Sequence, residues 1–218
     1  KGVMDYEKAD ALTKEHLNKK GDQKQTQLME EVLKKSLHNM LKNTLPQQIL
    51  PNNPSLLMNS LSKTKLPNQI KVVIVGQDPY PDESGIASGI AFGCPKNDIK
   101  PSLQYIINDL ARSYKITPFE VKQRLNTTLE DWREQGVILW NASLTCEIRK
   151  PGSHADIWKD FTAGFLNCLS NYNFDIYEYK MVTDFVNLKF ANTTGISSNM
   201  KYRSITKQSV IDINHIKI

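Results

Sequence analysis

The stretch "KVVIVGQDPYPDESGIASGIAF", residues 71–92, decides how the chain is read. Four β-branched residues, Val72 to Val75, stop at Gly76, the pattern of a short strand buried on both faces of a sheet. An amide, a carboxylate and a tyrosine between two prolines follow at once: Gln77, Asp78 and Tyr80. A chain that only needed to turn has no use for three such groups together. The loop then runs through small residues to Phe92.

Outward from this loop, strands and helices alternate. "PSLQYIINDLARSY" (101–114) has the apolar spacing of an amphipathic helix, with Pro101 in its first turn. "TTLEDWREQG" reads as a second helix that closes at Gly136. "VILWNASLTC" reads as a second buried strand, "HADIWKDFTAGFLNCLSNY" as a third helix and "DIYEYKMV" as a further strand. Upstream, residues 1 to about 45 read as helical, with Leu28, Val32, Leu33, Leu37, Met40 and Leu41 at roughly helical spacing. "LPQQILPNNPSLL" is a connector, with a short helix expected at 54–62. The alternation predicts an α/β fold of three layers, a mostly parallel four-stranded sheet flanked by helices. The expected division is a helical extension, residues 1–62, packed on an α/β domain of residues 63–218. Ligands of such sheets sit beyond the carboxyl ends of the strands. Both unusual segments, 76–81 and 141–145, fall there.

The bulk properties narrow the class. The chain has 218 residues and a net charge of +5, with a mean hydropathy of −0.46 and a pI near 9.0. Those values suit a soluble protein and permit an anionic partner such as nucleic acid. No apolar run approaches the roughly 20 residues of a membrane span. The chain opens on Lys1 rather than methionine, which reads as a missing start, and its charged first twenty residues have no signal-like apolar region. Cys94, Cys146 and Cys168 are widely spaced and form no CxxC pair. An intracellular, reducing compartment is therefore expected, without a disulfide framework or zinc site. The four scattered histidines suggest no metal cluster, and no metal or organic cofactor is expected.

Each unusual residue has two readings. Asp78 either caps its own turn or sits partly desolvated, aimed at a pocket. Tyr80 and Phe92 are either core aromatics or the wall and floor of a site for a flat ligand. Asn141, inside an apolar strand, must satisfy its amide on neighbouring backbone or on a ligand. Taken together, a carboxylate, two aromatics and an amide at one sheet edge suit a planar heterocycle with adjacent carbonyl and N–H groups.

"GQDPYP" (76–81) resembles the GQDPYH signature of the family 1 uracil-DNA glycosylases. The likeness continues in order. "SGIAFG" is similar to NGLAFS, "PSLQYIINDL" to a PSL-initiated helix, "WREQGVILWNASLTC" to WxxQGVLLLNxxLTV and "GSHADIWKDFT" to NSHxxxGWexFT. It spans roughly residues 65–170. The proline after the tyrosine and the tryptophan before the asparagine look closer to large DNA virus and poxvirus members. The resemblance implies hydrolysis of the N-glycosidic bond of a deoxyuridine flipped out of DNA, as in base excision repair. It implies that Phe92 stacks on uracil, that Asn141 bonds its N3–H and O4, and that backbone at Gln77 helps hold O2. Tyr80 would exclude thymine by crowding C5. Asp78 would stabilise the cationic sugar and position water. Pro101 and Ser102 would press the DNA backbone, with Ser102 on a phosphate.

The late HPSPL segment of the family, which supplies a histidine to the leaving base and a leucine wedge, has no counterpart string here. "NTTGISSN" would put Asn192 in the histidine's place and Ile196 in the leucine's. His154 belongs to the "SH" segment, not to that position. A slowed glycosylase is therefore implied first. The alternative is an impaired, glycosylase-fold scaffold that binds DNA or serves a replication machinery, possible partners being a replication protein or an inhibitor protein. The nucleus, the cytoplasm or a viral replication site would suit either.

Overall fold

The computed structural model describes residues 23–62, 70–83, 85–95, 98–169, 175–179 and 202–205. Its first element is helix α1 (Gln23–Asn43). The connector after it contains the two-residue strand β1 (Ile49–Leu50). Where a short helix was expected at 54–62, the chain makes two separate 3-10 turns, Pro54–Leu56 and Asn59–Leu61. Proline and asparagine at the start of the segment favour such isolated turns over a continuous helix.

Strand β2 (Val72–Gly76) is followed by the long loop and then by helices α2 (Pro101–Tyr114), α3 (Pro118–Arg124) and α4 (Glu130–Glu134). Strand β3 (Val137–Asn141), strand β4 (Cys146–Glu147), helix α5 (Ala155–Leu169) and strands β5 (Asp175–Tyr179) and β6 (Tyr202–Ile205) complete the order. The expected strand over "VILWNASLTC" is thus two strands broken at the turn after Asn141. Strand β4 leaves the main sheet and pairs with β1 in antiparallel fashion.

Strand β2 pairs in parallel with β3 on one side and β5 on the other, and β5 pairs in parallel with β6. Successive side chains of a strand point to opposite faces, and the core follows that rule. Val73, Val75, Ile138 and Trp140 face one cluster, where Met29, Leu33, Leu37 and Met40 of α1 meet Trp158, Phe161 and Phe165 of α5. Val72, Ile74, Val137 and Leu139 face the other, with Leu103, Ile106, Ile107 and Leu110 of α2 and Trp132 of α4. With strands buried on both faces, only an α/β arrangement covers them, and the α/β class expected from sequence is the one adopted. Helix α1 shares its apolar face with α5, and Ser36 Oγ donates to the Ile157 carbonyl at 2.8 Å. Among the described residues no helix is long and apolar enough to cross a membrane.

Candidate active site

The site is built where β2 and β3 end side by side. Gly76 is the register partner of Asn141. Beyond it the ladder continues through Ala142 N to Gly76 O and Ser143 N to Gln77 O, both at 2.8 Å. The two loops therefore leave the sheet locked to each other.

Asn141 is 7% exposed, and its Oδ1 is buried with no hydrogen-bond partner. Leaving a buried carbonyl unpaired costs about 1–3 kcal/mol. The side chain reaches over Gly76: a β-carbon placed there would lie 2.8 Å from Asn141 Oδ1 and 3.1 Å from Phe92 Cζ. Glycine at 76 lets the amide and the ring tip converge on one spot. Of the two readings of Asn141, the neighbouring backbone does not satisfy its oxygen.

Phe92 is buried and holds φ at +65°, a left-handed conformation that costs a residue with a side chain about 1–2 kcal/mol. It persists because the loop is tied on all sides. Ala91 N donates to Leu139 O at 3.1 Å, Gly93 N to Ile90 O at 3.1 Å and Cys94 N to Thr127 O at 2.6 Å. Tyr80 closes the opposite side. Its hydroxyl donates to the Phe92 carbonyl at 3.2 Å and lies 3.0 Å from Ser102 Oγ. Burial pushes the phenol up to about 12, and the Ser102 contact only partly offsets it. Ser102, at the second position of α2 after the exposed Pro101, is thus joined to the pocket wall.

Asp78 is half-buried and accepts from the backbone N–H of Gly152 and from the Gln77 side chain. Burial holds its carboxyl above the usual carboxylate value, and those two donors pull the other way. Nearby, Cys146 donates to the Pro79 carbonyl at 3.3 Å. Burial and the Asp78 charge raise its thiol to about 12 and keep it protonated. The structure thus brings Gln77, Asp78, Tyr80, Phe92, Ser102 and Asn141 to one edge. Asn192 and Ile196 lie outside the described residues.

Sequence reasoning missed the rim and the anchor. A cleft of about 500 Å3 at the mouth is lined by Tyr80, Pro81, Asp82, Glu83, Lys100 and Arg149. Lys100 lies 2.6 Å from Asp98 and 3.4 Å from Asp82, and Arg149 lies 3.0 Å from Glu83. Gly152, which fixes Asp78, follows Pro151; a Pro-Gly pair signals a turn but not what the turn holds. His154 is buried between Thr44 Oγ1 at 3.0 Å and Thr145 Oγ1 at 2.8 Å. Its ring belongs to the scaffold.

Residues 64–177 match the model of the uracil DNA glycosylase superfamily, slightly more than half of the chain. The chain belongs to that superfamily. The uracil-DNA glycosylase of Francisella tularensis subsp. tularensis (strain WY96-3418) is 45% identical over 116 residues, covering 52% of this chain and 50% of that protein. That of equine herpesvirus 2 is 44% identical over 107 residues, covering 48% and 40%. The mimivirus uracil-DNA glycosylase structure superposes with a TM-score of 0.57 at 27% identity, over 81% of this chain and 60% of that one. A variant of the mimivirus enzyme was solved in complex with UGI. The chain spans about half the length of the curated relatives it matches. The superfamily match takes in β2, its loop, β3 and α5, and so contains all six residues gathered at the edge.

Proposed function

We propose that the protein is a uracil-DNA glycosylase, hydrolysing the N-glycosidic bond of deoxyuridine flipped out of DNA. One observation carries this reading: the buried, unpartnered Asn141 Oδ1 beside the tip of the Phe92 ring. A flat base stacked on Phe92 with an N–H toward that oxygen would satisfy it, and uracil offers N3–H beside O4. Tyr80, held on both sides through its hydroxyl, would stand against C5 and reject a methyl group by clash.

Asp78 supplies the chemistry. Burial raises the cost of its charge and the Gly152 N–H and the Gln77 side chain offset part of that cost, so a carboxylate here would gain most when the sugar becomes oxocarbenium-like. The route calls for no cofactor. The leaving uracil needs a donor on O2; backbone at Gln77 would help there, and Asn192 is proposed for the place of the family's histidine. Losing one donor to a developing oxyanion costs about two to three powers of ten in rate, so a slowed enzyme is expected. Ile196 is proposed as the apolar wedge, and Pro101 and Ser102 as DNA contacts. We infer further that residues 63–218 form the three-layer domain around a four-stranded, mostly parallel sheet, with 1–62 as its helical extension. The buried free thiols Cys94 and Cys146 support an intracellular, reducing setting such as nucleus, cytoplasm or a viral replication site. A protein inhibitor or replication protein is a proposed further partner.

A second reading is a DNA-binding or replication-associated scaffold of the same fold. The superfamily match favours it by ending at residue 177, before any late histidine motif. Single-turnover release of uracil from a uracil-containing single strand separates the two. Release by the wild type that disappears in Asp78→Asn supports the enzyme. No release by the wild type, with salt-sensitive DNA binding intact, overturns it in favour of the scaffold.

A further inference from the structure

The loop that presents Phe92 is held from its carboxyl side by β3 and Thr127. From its amino side it is held by a segment that the superfamily match does not include. Asn59 Nδ2 donates to the Ser88 carbonyl at 2.7 Å, and Ser60 N donates to the Gly89 carbonyl at 3.2 Å. The backbones meet so closely that a β-carbon at Gly89, whose φ is +74°, would run into the Leu56 carbonyl oxygen.

Asn59 is itself fixed. Arg133 Nη1 donates to Asn59 O at 2.5 Å and to Ser62 Oγ at 2.8 Å, and lies 3.4 Å from Asn59 Oδ1. Arg133 is 1% exposed, its only ion-pair partner among the described residues is Glu130 at 3.6 Å, and its Nε has no partner. A buried guanidinium so thinly compensated is costly. Its hydrogen bonds go almost entirely to the turn that holds Asn59. Residues 54–62 thus form a brace between α4 and the Ser88–Gly89 turn.

We propose that Asn59 is a positioning residue for uracil recognition: through Ser88 it holds the loop that keeps Phe92 in its left-handed conformation opposite Asn141. The inference rests on the glycosylase reading for its consequence, but the brace itself can be tested without activity. Asn59→Asp keeps the acceptor facing Arg133 and removes the donor facing Ser88, so the fold is retained while the loop is released.

The test uses the full chain with ring-13C phenylalanine, the Phe92 and Phe165 signals being assigned by substitution, together with inhibition by free uracil. In Asn59→Asp the Phe92 signal is expected to shift or split and that of Phe165 to stay, because Phe165 stacks on Trp140 in the other cluster. Inhibition by uracil should weaken about tenfold, while binding to uracil-free DNA is unchanged. Should Asn59→Asp fail to fold, Asn59→Ala loses the same donor without placing a charge beside a carbonyl. A folded variant whose Phe92 signal matches the wild type overturns the proposal, whatever its activity. A displaced Phe92 signal in a protein whose wild type releases no uracil leaves the brace standing and removes the glycosylase reading.

Discussion

Gly76 lies opposite Asn141 in the parallel ladder, and a β-carbon at 76 would stand 2.8 Å from the Asn141 carboxamide oxygen. That atom is the end of a side chain, so Gly76→Ala should displace the amide rather than break the strand. A misplacement of this size at a reacting site costs on the order of 100-fold in rate. We expect single-turnover uracil release to fall by roughly that factor, with a thermal midpoint within a few degrees of wild type. Unchanged release would show that Asn141 does not act from this position.

Tyr80 combines bulk and two hydrogen-bonding contacts, and Tyr80→Phe separates them. The ring remains to crowd C5, while the contacts with Phe92 O and Ser102 Oγ are lost. Thymine should stay excluded, and the fold should lose about 1 kcal/mol, read by urea unfolding. Thymine release by Tyr80→Phe would mean that the hydroxyl, and not the ring, sets the specificity.

At the mouth, Lys100 and Arg149 already face acids, Lys100 beside Asp98 and Asp82 and Arg149 beside Glu83. Asp82→Asn combined with Glu83→Gln frees part of that positive charge. DNA affinity should rise, and the slope of log affinity against log salt should steepen by about 0.7 per added phosphate contact on a single strand. A slope identical to wild type would place the DNA backbone away from this cleft.

His154 sets an acid limit. Burial lowers its pKa below the ordinary 6.5, with Glu147 acting weakly in the opposite direction. Between the lowered value and 6.5 the unfolded chain binds the proton that the folded chain refuses, so stability rises with pH across that window. The contribution is complete above 6.5 and is lost as pH falls toward the folded value. His154→Gln should flatten this limb in thermal melts from pH 5 to 7. A limb of the same steepness in the variant would assign it to other groups.

Much of this was legible in local sequence, for reasons that particular residues illustrate. "KVVIV" and "VILWN" read as strands because each is apolar on both faces, and helix α2 because its apolar residues recur at helical spacing. Asp78, Tyr80, Phe92 and Asn141 stood out because each is out of character with its neighbours. Helix α3 escaped notice because seven residues are too few for an apolar stripe. Its start is nonetheless signalled in "TPFE", where Thr117 and Glu120 form a capping box. The β1–β4 pair is two residues long and joins distant segments, so it leaves no periodic trace. The same holds for Arg133 and Asn59. Nothing in "DWREQG" singles out its arginine, and only the packed fold shows that it is buried.

The bonds around His154 reach further than one side chain. Thr44 closes the end of α1, Thr145 follows the turn after Asn141, and Trp158 in α5 donates to the same Thr145 hydroxyl at 2.6 Å. Three parts of the chain are thereby riveted at one point just behind Asn141. We expect opening of the strand end at Ala142 and Ser143 to be coupled to loosening of α1. Amide exchange at those two positions would report the docking of a helix on the far side of the sheet, and a molecule that gripped α1 would hold a lever on the edge that carries Asp78 and Asn141.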